Sequence, residues 1–138
     1  MVSGTIFRLI WTGILLFLSS CSIGNISGSA IQESFLLDVD PMEAKALVDS
    51  GVFVLDVRTE SEFSQGHIDG AVNMDVNSKN FHKLVAGLDS SEPYLVYCRT
   101  GRRSLTAAQM LKELGFKRVY NLEDGINAWT NAGFAVLN

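Results

Sequence analysis

Pro93-Tyr94-Leu95-Val96-Tyr97-Cys98-Arg99-Thr100-Gly101-Arg102-Arg103-Ser104 passes from an apolar run through a basic, glycine-bearing turn into a helical pattern. Tyr94 to Tyr97 has the length and continuity of a buried strand. From Arg103 to Leu114 the residues Leu105, Ala108, Leu111 and Leu114 recur every three positions, and Gly115 is placed to end the helix in a left-handed conformation. A strand, a short turn and a helix follow one another here without a break.

The same alternation extends in both directions. Upstream, Asp40-Pro41 supplies an N-cap and a first-turn proline for a helix carrying Met42, Ala46 and Leu47 up to Gly51. Val52 to Val57 is a second continuous apolar run, the pattern of a strand covered on both faces, which is the habit of parallel sheets. Downstream, Arg118 to Leu122 makes a third strand, and a last helix from about Asp124 carries Ile126, Ala128 and Trp129, the last a core residue, and stops near Gly133. Strands alternating with helices predict an α/β fold, a mostly parallel central sheet flanked by helices in a single domain. No internal repeat interrupts it.

Composition agrees. The 138 residues are 47% hydrophobic and 19% charged, which excludes a disordered or collagen-like chain. The formal charge of -4 and the scattering of eleven Lys and Arg exclude the broad basic face of a nucleic-acid binder.

The first twenty residues stand apart from the domain. Arg8 gives a thin positive start, and Leu9 to Leu18 is apolar except for Thr12 and Gly13. That run is shorter than the about 20 residues a bilayer-spanning helix needs, which favours an export signal over 1–20. Its end, Leu18-Ser19-Ser20-Cys21, resembles a bacterial lipobox. The resemblance implies lipidation of Cys21 and a cell-envelope lipoprotein on the periplasmic side of a bacterial membrane. An ordinary cleaved signal and an uncleaved anchor are the alternatives. Without residues 1–20 the chain keeps ten basic and fifteen acidic residues. Residues 21–33, rich in Ser, Gly, Ile and Asn without periodicity, read as a tether, and the domain as 34–138.

Cys98 sits where the strand ending at Tyr97 meets the following helix, the carboxyl edge at which open α/β sheets place ligands. Arg99, Thr100, Gly101, Arg102 and Arg103 combine a flexible glycine with three guanidinium groups, and their amides can curl around an anion at a helix amino terminus. Such surroundings lower a thiol pKa and make a nucleophilic thiolate. A small buried core cysteine is the bland alternative, but three arginines within five residues fit a core poorly. Covalent sulfur transfer at Cys98 would need neither metal nor organic cofactor. Of the two histidines, His82 reads as a solvated surface residue and His67 as a turn residue with a satisfied ring.

Cys98-Arg99-Thr100-Gly101-Arg102-Arg103-Ser104 resembles the active-site loop of single-domain rhodaneses. Asp56-Val57-Arg58 with Glu62-Phe63 and Gly66-His67-Ile68-Asp69-Gly70-Ala71 resembles their amino-side signature, and Leu122 to Trp129 their closing segment. The resemblance covers roughly residues 36 to 136. It implies a sulfurtransferase that carries a persulfide on Cys98, with the amides of Arg99 to Arg103 lining the pocket. Small anionic donors such as thiosulfate, and thiol or protein acceptors, would be its partners. A sulfur carrier or thiol-redox component without turnover, and an idle binding module, are the competing readings. Asp56, Arg58, Glu62 and His67 carry over as framework residues, and the spacing of Arg58 and Glu62 suggests an ion pair between them. Phosphatases of this fold place an Arg six positions after the Cys, where this chain has Ser104. Asp124-Gly125 departs from the paired glycines of many members, although Asp tolerates a left-handed backbone.

Overall fold

Asp40 starts the first helix as a capping residue should: its carboxylate accepts from the Glu43 amide at 2.8 Å, and Glu43 accepts from the Asp40 amide at 3.0 Å. The computed structural model describes residues 35–138, and the export segment, Cys21 and the tether expected from the sequence lie outside the described residues. In chain order the elements are β1 (Phe35–Val39), α1 (Pro41–Asp49), β2 (Phe53–Asp56), α2 (Glu60–Ser64), β3 (Ala71–Asn73), α3 (Phe81–Val85), β4 (Pro93–Tyr97), α4 (Arg102–Glu113), β5 (Arg118–Leu122) and α5 (Gly125–Asn131). The five strands form one sheet in the order β1-β5-β4-β2-β3, and every ladder is parallel.

Alternate residues of the central strands feed two cores. Leu55, Val96 and Cys98 pack with Phe81 and Val85 of α3 and with Ala107, Ala108 and Leu111 of α4. Val54, Leu95 and Tyr97 pack with Ala44 of α1 and with Ile126 and Trp129 of α5. Burial on both faces is why β2 and β4 read as unbroken apolar runs instead of alternating ones. Each parallel crossover returns the chain to the same sheet edge, so the carboxyl ends of β2, β4 and β5 converge.

The two edge strands were not anticipated from the sequence. β1 leaves Leu37 and Asp38 exposed and so lacks a continuous apolar signal, and β3 has three residues. The short helices α2 and α3 also fall below the length at which periodicity is legible. In α1 it is Ala44 that is fully buried, while Met42 is 67% exposed. In α4 the buried stripe is Ser104, Ala107, Ala108 and Leu111, with Leu105 and Leu114 half-buried beside it.

Candidate active site

The chain between β4 and α4 is four residues long, and its shape is imposed from two sides. Gly101, at φ 85°, has a left-handed backbone and would put any Cβ 3.0 Å from the Asp124 amide nitrogen. Across the turn, the carbonyls of Cys98 and Arg99 accept from the amides of Ile126 and Asn127 at 2.8 and 3.3 Å. Gly125, also left-handed at φ 60°, makes this approach possible, because a Cβ there would lie 2.4 Å from the Cys98 carbonyl oxygen. Asp124 is the one described non-glycine residue with positive φ, at 57°, so the Asp-Gly departure keeps the left-handed pair intact.

With its carbonyls turned outward to α5, the turn directs its amides inward. No side chain caps α4, since its N-cap is Gly101, and the first-turn donors face the Cys98 sulfur. The Ser104 hydroxyl lies 3.5 Å from Sγ and 3.0 Å from the Gly101 carbonyl oxygen. Burial of Cys98, 1% exposed, pushes its thiol pKa up, yet the Ser104 hydroxyl and the amides of Ser104, Thr100 and Arg103 together bring it below the ordinary value. The dominant acidifying groups are therefore dipoles of the turn. Ser104, which the sequence reading used only to mark the length of the loop, is one of them; its place inside the first helical turn after Cys98 was the available signal for a donor role.

The three arginines separate. Arg99 and Arg102 are exposed. Arg103 is held by Glu62 through a bidentate pair of 2.9 and 2.7 Å, and its pKa is raised first by that carboxylate, against burial, with a smaller contribution from the Cys98 sulfur. Glu62 also accepts from the amide and hydroxyl of Thr59 at 3.1 Å, closing the cap of α2. Its carboxyl is lowered to about 2, chiefly by Arg103.

The ion pair expected between Arg58 and Glu62 does not form. Arg58 precedes the Thr59 N-cap, so the four-residue spacing does not lie on a helix, and the guanidinium turns inward instead. Its Nε donates to both carboxylate oxygens of Asp56 at 2.9 and 3.0 Å, and Nη2 donates to the Gly66 carbonyl at 2.7 Å. Burial opposes the charge of Arg58 and the Asp56 carboxylate outweighs it, leaving the pKa raised. Tyr97 accepts from the Ile68 amide at 3.1 Å beneath this pair, and burial pushes its phenol up. Asp56 and Arg58 thus brace the sheet edge and the segment after α2. His67 stacks on Phe63 at 3.9 Å with Nδ1 3.2 Å from the Phe63 carbonyl, and its backbone pairs with Leu137. His82 is exposed on α3. Among the described residues no group of three His, Cys, Asp or Glu is placed to hold a metal.

A cavity of about 300 Å³ adjoins the turn, with Arg58, Glu62, Gly66, Arg99 and Asn127 among its walls. One of its walls is a guanidinium, that of Arg99, without a partner among the described residues.

Residues 40–132 match the family model of the rhodanese-like domain. The chain belongs to the rhodanese-like family. It is 35% identical over 120 residues to rhodanese-like domain-containing protein 17 of Arabidopsis thaliana, covering 78% of this chain and 77% of that one. Over 124 residues it is 36% identical to thiosulfate sulfurtransferase 18 of the same plant, covering 81% and 90%. Over 81 residues it is 41% identical to the thiosulfate sulfurtransferase GlpE of Shewanella oneidensis, covering 59% and 78%. Among solved structures, a rhodanese-related protein from Thermoplasma volcanium superposes with a TM-score of 0.65 at 27% identity, covering 72% of this chain and 96% of that one. The polysulfide-sulfur transferase homodimer of Wolinella succinogenes does so at 0.62 and 29%, covering 74% and 78%. The sheet described above is thus the rhodanese fold, and proteins named as thiosulfate sulfurtransferases are among the relatives of this single domain.

Proposed function

We propose that this rhodanese-like domain moves sulfane sulfur from a small anionic donor, thiosulfate or a persulfide, to a thiol or other thiophilic acceptor through a persulfide on Cys98. One observation carries the reading: Cys98 Sγ lies within a ring of amide and hydroxyl donors that lower its pKa at the carboxyl end of β4. The thiolate attacks the outer sulfur of thiosulfate, a new S–S bond forms to Sγ, the S–S bond of the donor breaks, and sulfite leaves with its electron pair. The negative charge then rests on the outer persulfide sulfur, which the ring donors stabilise as they did the thiolate. A nucleophilic acceptor takes that sulfur and returns Cys98 to thiolate. Ser104, where related phosphatases carry an Arg, argues against phosphoryl transfer.

The reading is tested on reduced protein lacking residues 1–20, with thiosulfate as donor and cyanide as acceptor. Thiocyanate should accumulate catalytically and stop in Cys98→Ser, and mass spectrometry after donor alone should find one added sulfur on Cys98. Absence of both turnover and adduct would refute it. An adduct without turnover assigns the domain to sulfur carriage for a protein partner.

We further propose, from Leu18-Ser19-Ser20-Cys21, that the chain is exported and lipidated on Cys21, which places the domain at the periplasmic face of a bacterial membrane. Fatty-acid labelling at Cys21 and globomycin-sensitive processing should follow; a soluble product with neither would overturn this.

A further inference from the structure

Arg103 stands where a helix gives a cation no support. It is the second residue of α4, whose first turn carries Arg102 and Arg103 and no acidic residue, and positive charge is unfavourable beside the unpaired amides of a helix start. Glu62 of α2 supplies the missing carboxylate. Arg103 Nη1 and Nη2 donate to it at 2.9 and 2.7 Å, so both far ends of the planar guanidinium are fixed together. Glu62 is itself held by the Thr59 amide and hydroxyl, both at 3.1 Å. The remaining guanidinium N–H groups then point in directions that the fork dictates.

The neighbour of this fork is the Cys98 sulfur. Glu62 first raises the Arg103 pKa, burial lowers it, and the charge of the sulfur raises it further, which sets sulfur and guanidinium within reach of each other. The backbone agrees: the Arg103 amide is one of the donors to Sγ, and the hydroxyl of the next residue, Ser104, lies 3.5 Å from it. The other charged groups of the surrounding elements are turned away or exposed. The core around Cys98 is apolar except for Tyr94, whose hydroxyl donates to the Asp89 carbonyl. Asp56 lies in register with Tyr97 on the opposite face of the sheet and is spent on Arg58, and Arg118 is at the far end of β5. Arg99, Arg102, Glu123 and Asp124 around the turn, His82 and Lys83 of α3, and Lys112 and Glu113 of α4 are exposed.

We propose that Glu62 is a positioning residue for the sulfur transfer proposed above: it holds the Arg103 guanidinium beside Cys98, where the cation offsets the negative charge that the sulfur bears as thiolate and, once loaded, as persulfide. The inference rests on that reading for the purpose of the charge and not for the geometry. A plain clamp between α2 and α4 would act with the opposite sign. A nearby carboxylate disfavours a thiolate, so neutralising a Glu62 that only ties two helices together removes repulsion and lowers the Cys98 pKa. If Glu62 works through Arg103, neutralising it releases the cation to solvent and the pKa rises.

The test is the pH dependence of Cys98 alkylation by iodoacetamide in the full chain in detergent solution, read at the Cys98 peptide by mass spectrometry, with circular dichroism as the check of folding. Glu62→Gln, which keeps an acceptor for the α2 cap, should raise the midpoint and slow alkylation near neutral pH by about three- to tenfold. Arg103→Gln should do the same, and adding Glu62→Gln to it should slow the reaction no further, because the group that Glu62 holds is gone. Glu60→Gln removes an exposed carboxylate from the same helix and should not raise the midpoint. A midpoint that falls or stays in folded Glu62→Gln protein, or a second slowing of equal size in the double variant, would overturn the proposal. Should Glu62→Gln fail to fold, Arg103→Gln decides the question, since an unraised midpoint there overturns it too. Loading of one sulfur from thiosulfate keeps the two readings apart. A parent that never loads removes sulfur transfer and leaves the effect of the ion pair on the thiol; a parent that loads, with the Glu62→Gln midpoint at or below the parental one, removes the role of Glu62 alone.

Discussion

Glu62 and Arg103, 41 residues apart in the chain, meet in a bidentate ion pair in which Arg103 Nη1 and Nη2 lie 2.9 and 2.7 Å from the carboxylate oxygens. The same carboxylate closes the cap of α2, so one side chain joins the start of that helix to the first turn of α4. Because the Glu62 carboxyl is lowered from 4.5 to about 2, the unfolded chain takes up its proton more readily than the folded one. The stabilisation is complete above pH 4.5 and is lost as pH falls through about 2. With side chains 28–29% exposed, solvent screening limits it to about 1–2 kcal/mol. Urea unfolding of the parent between pH 5 and 2 should show that loss, and Glu62→Gln should remove the corresponding part of the slope.

The pH dependence of Cys98 alkylation reports the donors around its sulfur. The iodoacetamide rate should have its midpoint below that of an ordinary thiol, because the lowered pKa keeps thiolate present at lower pH. Ser104→Ala removes a hydroxyl donor and should move the midpoint up, slowing alkylation near neutral pH by about three- to tenfold. Ser104→Thr should restore it, which a merely structural effect of the alanine would not predict.

Two glycine substitutions separate strain from collision. Gly70 has φ 75° and nothing within 4 Å of a would-be Cβ, so Gly70→Ala should cost about 1–2 kcal/mol for the left-handed backbone alone. Gly125 has a similar φ but would drive its Cβ to 2.4 Å from the Cys98 carbonyl and 2.6 Å from the Arg99 carbonyl carbon. Gly125→Ala should cost more than about 3 kcal/mol and displace the turn. Thermal unfolding ranks the two, and equal costs would show that α5 does not press on the turn.

The buried pair of Asp56 and Arg58, 0% and 6% exposed, should respond asymmetrically. Asp56→Ala strands the guanidinium and should destabilise by about 3–5 kcal/mol, whereas Asp56→Leu combined with Arg58→Met should recover a substantial part of that loss. Denaturant midpoints of the single and double variants decide it.

The central strands were legible because burial on both faces writes itself as unbroken apolar runs at 52–57 and 94–97, and α4 because twelve residues give three turns of periodicity. β1 and β3 were not, since edge strands with exposed faces carry no such run. At the site, Cys98 and its turn were visible from a thiol, a glycine and three arginines between strand and helix. The partners of those arginines were not visible. Whether Arg58 meets Asp56 or Glu62 depends on where helix α2 begins, a boundary set by the Thr59 cap and not by charge spacing. The contribution of Ser104 was hidden because its role comes from the curl of the turn, which composition does not record.

The 1% exposure of Cys98 has a consequence for selectivity over time. A sulfur atom added to Sγ lies one S–S bond, about 2.05 Å, farther along than the thiol itself. On the proposed persulfide mechanism, an acceptor too bulky to reach the resting residue would still meet the loaded one. Recognition by length of reach would then leave the empty domain inconspicuous to large thiols and oxidants, and the charged one available, with no moving part.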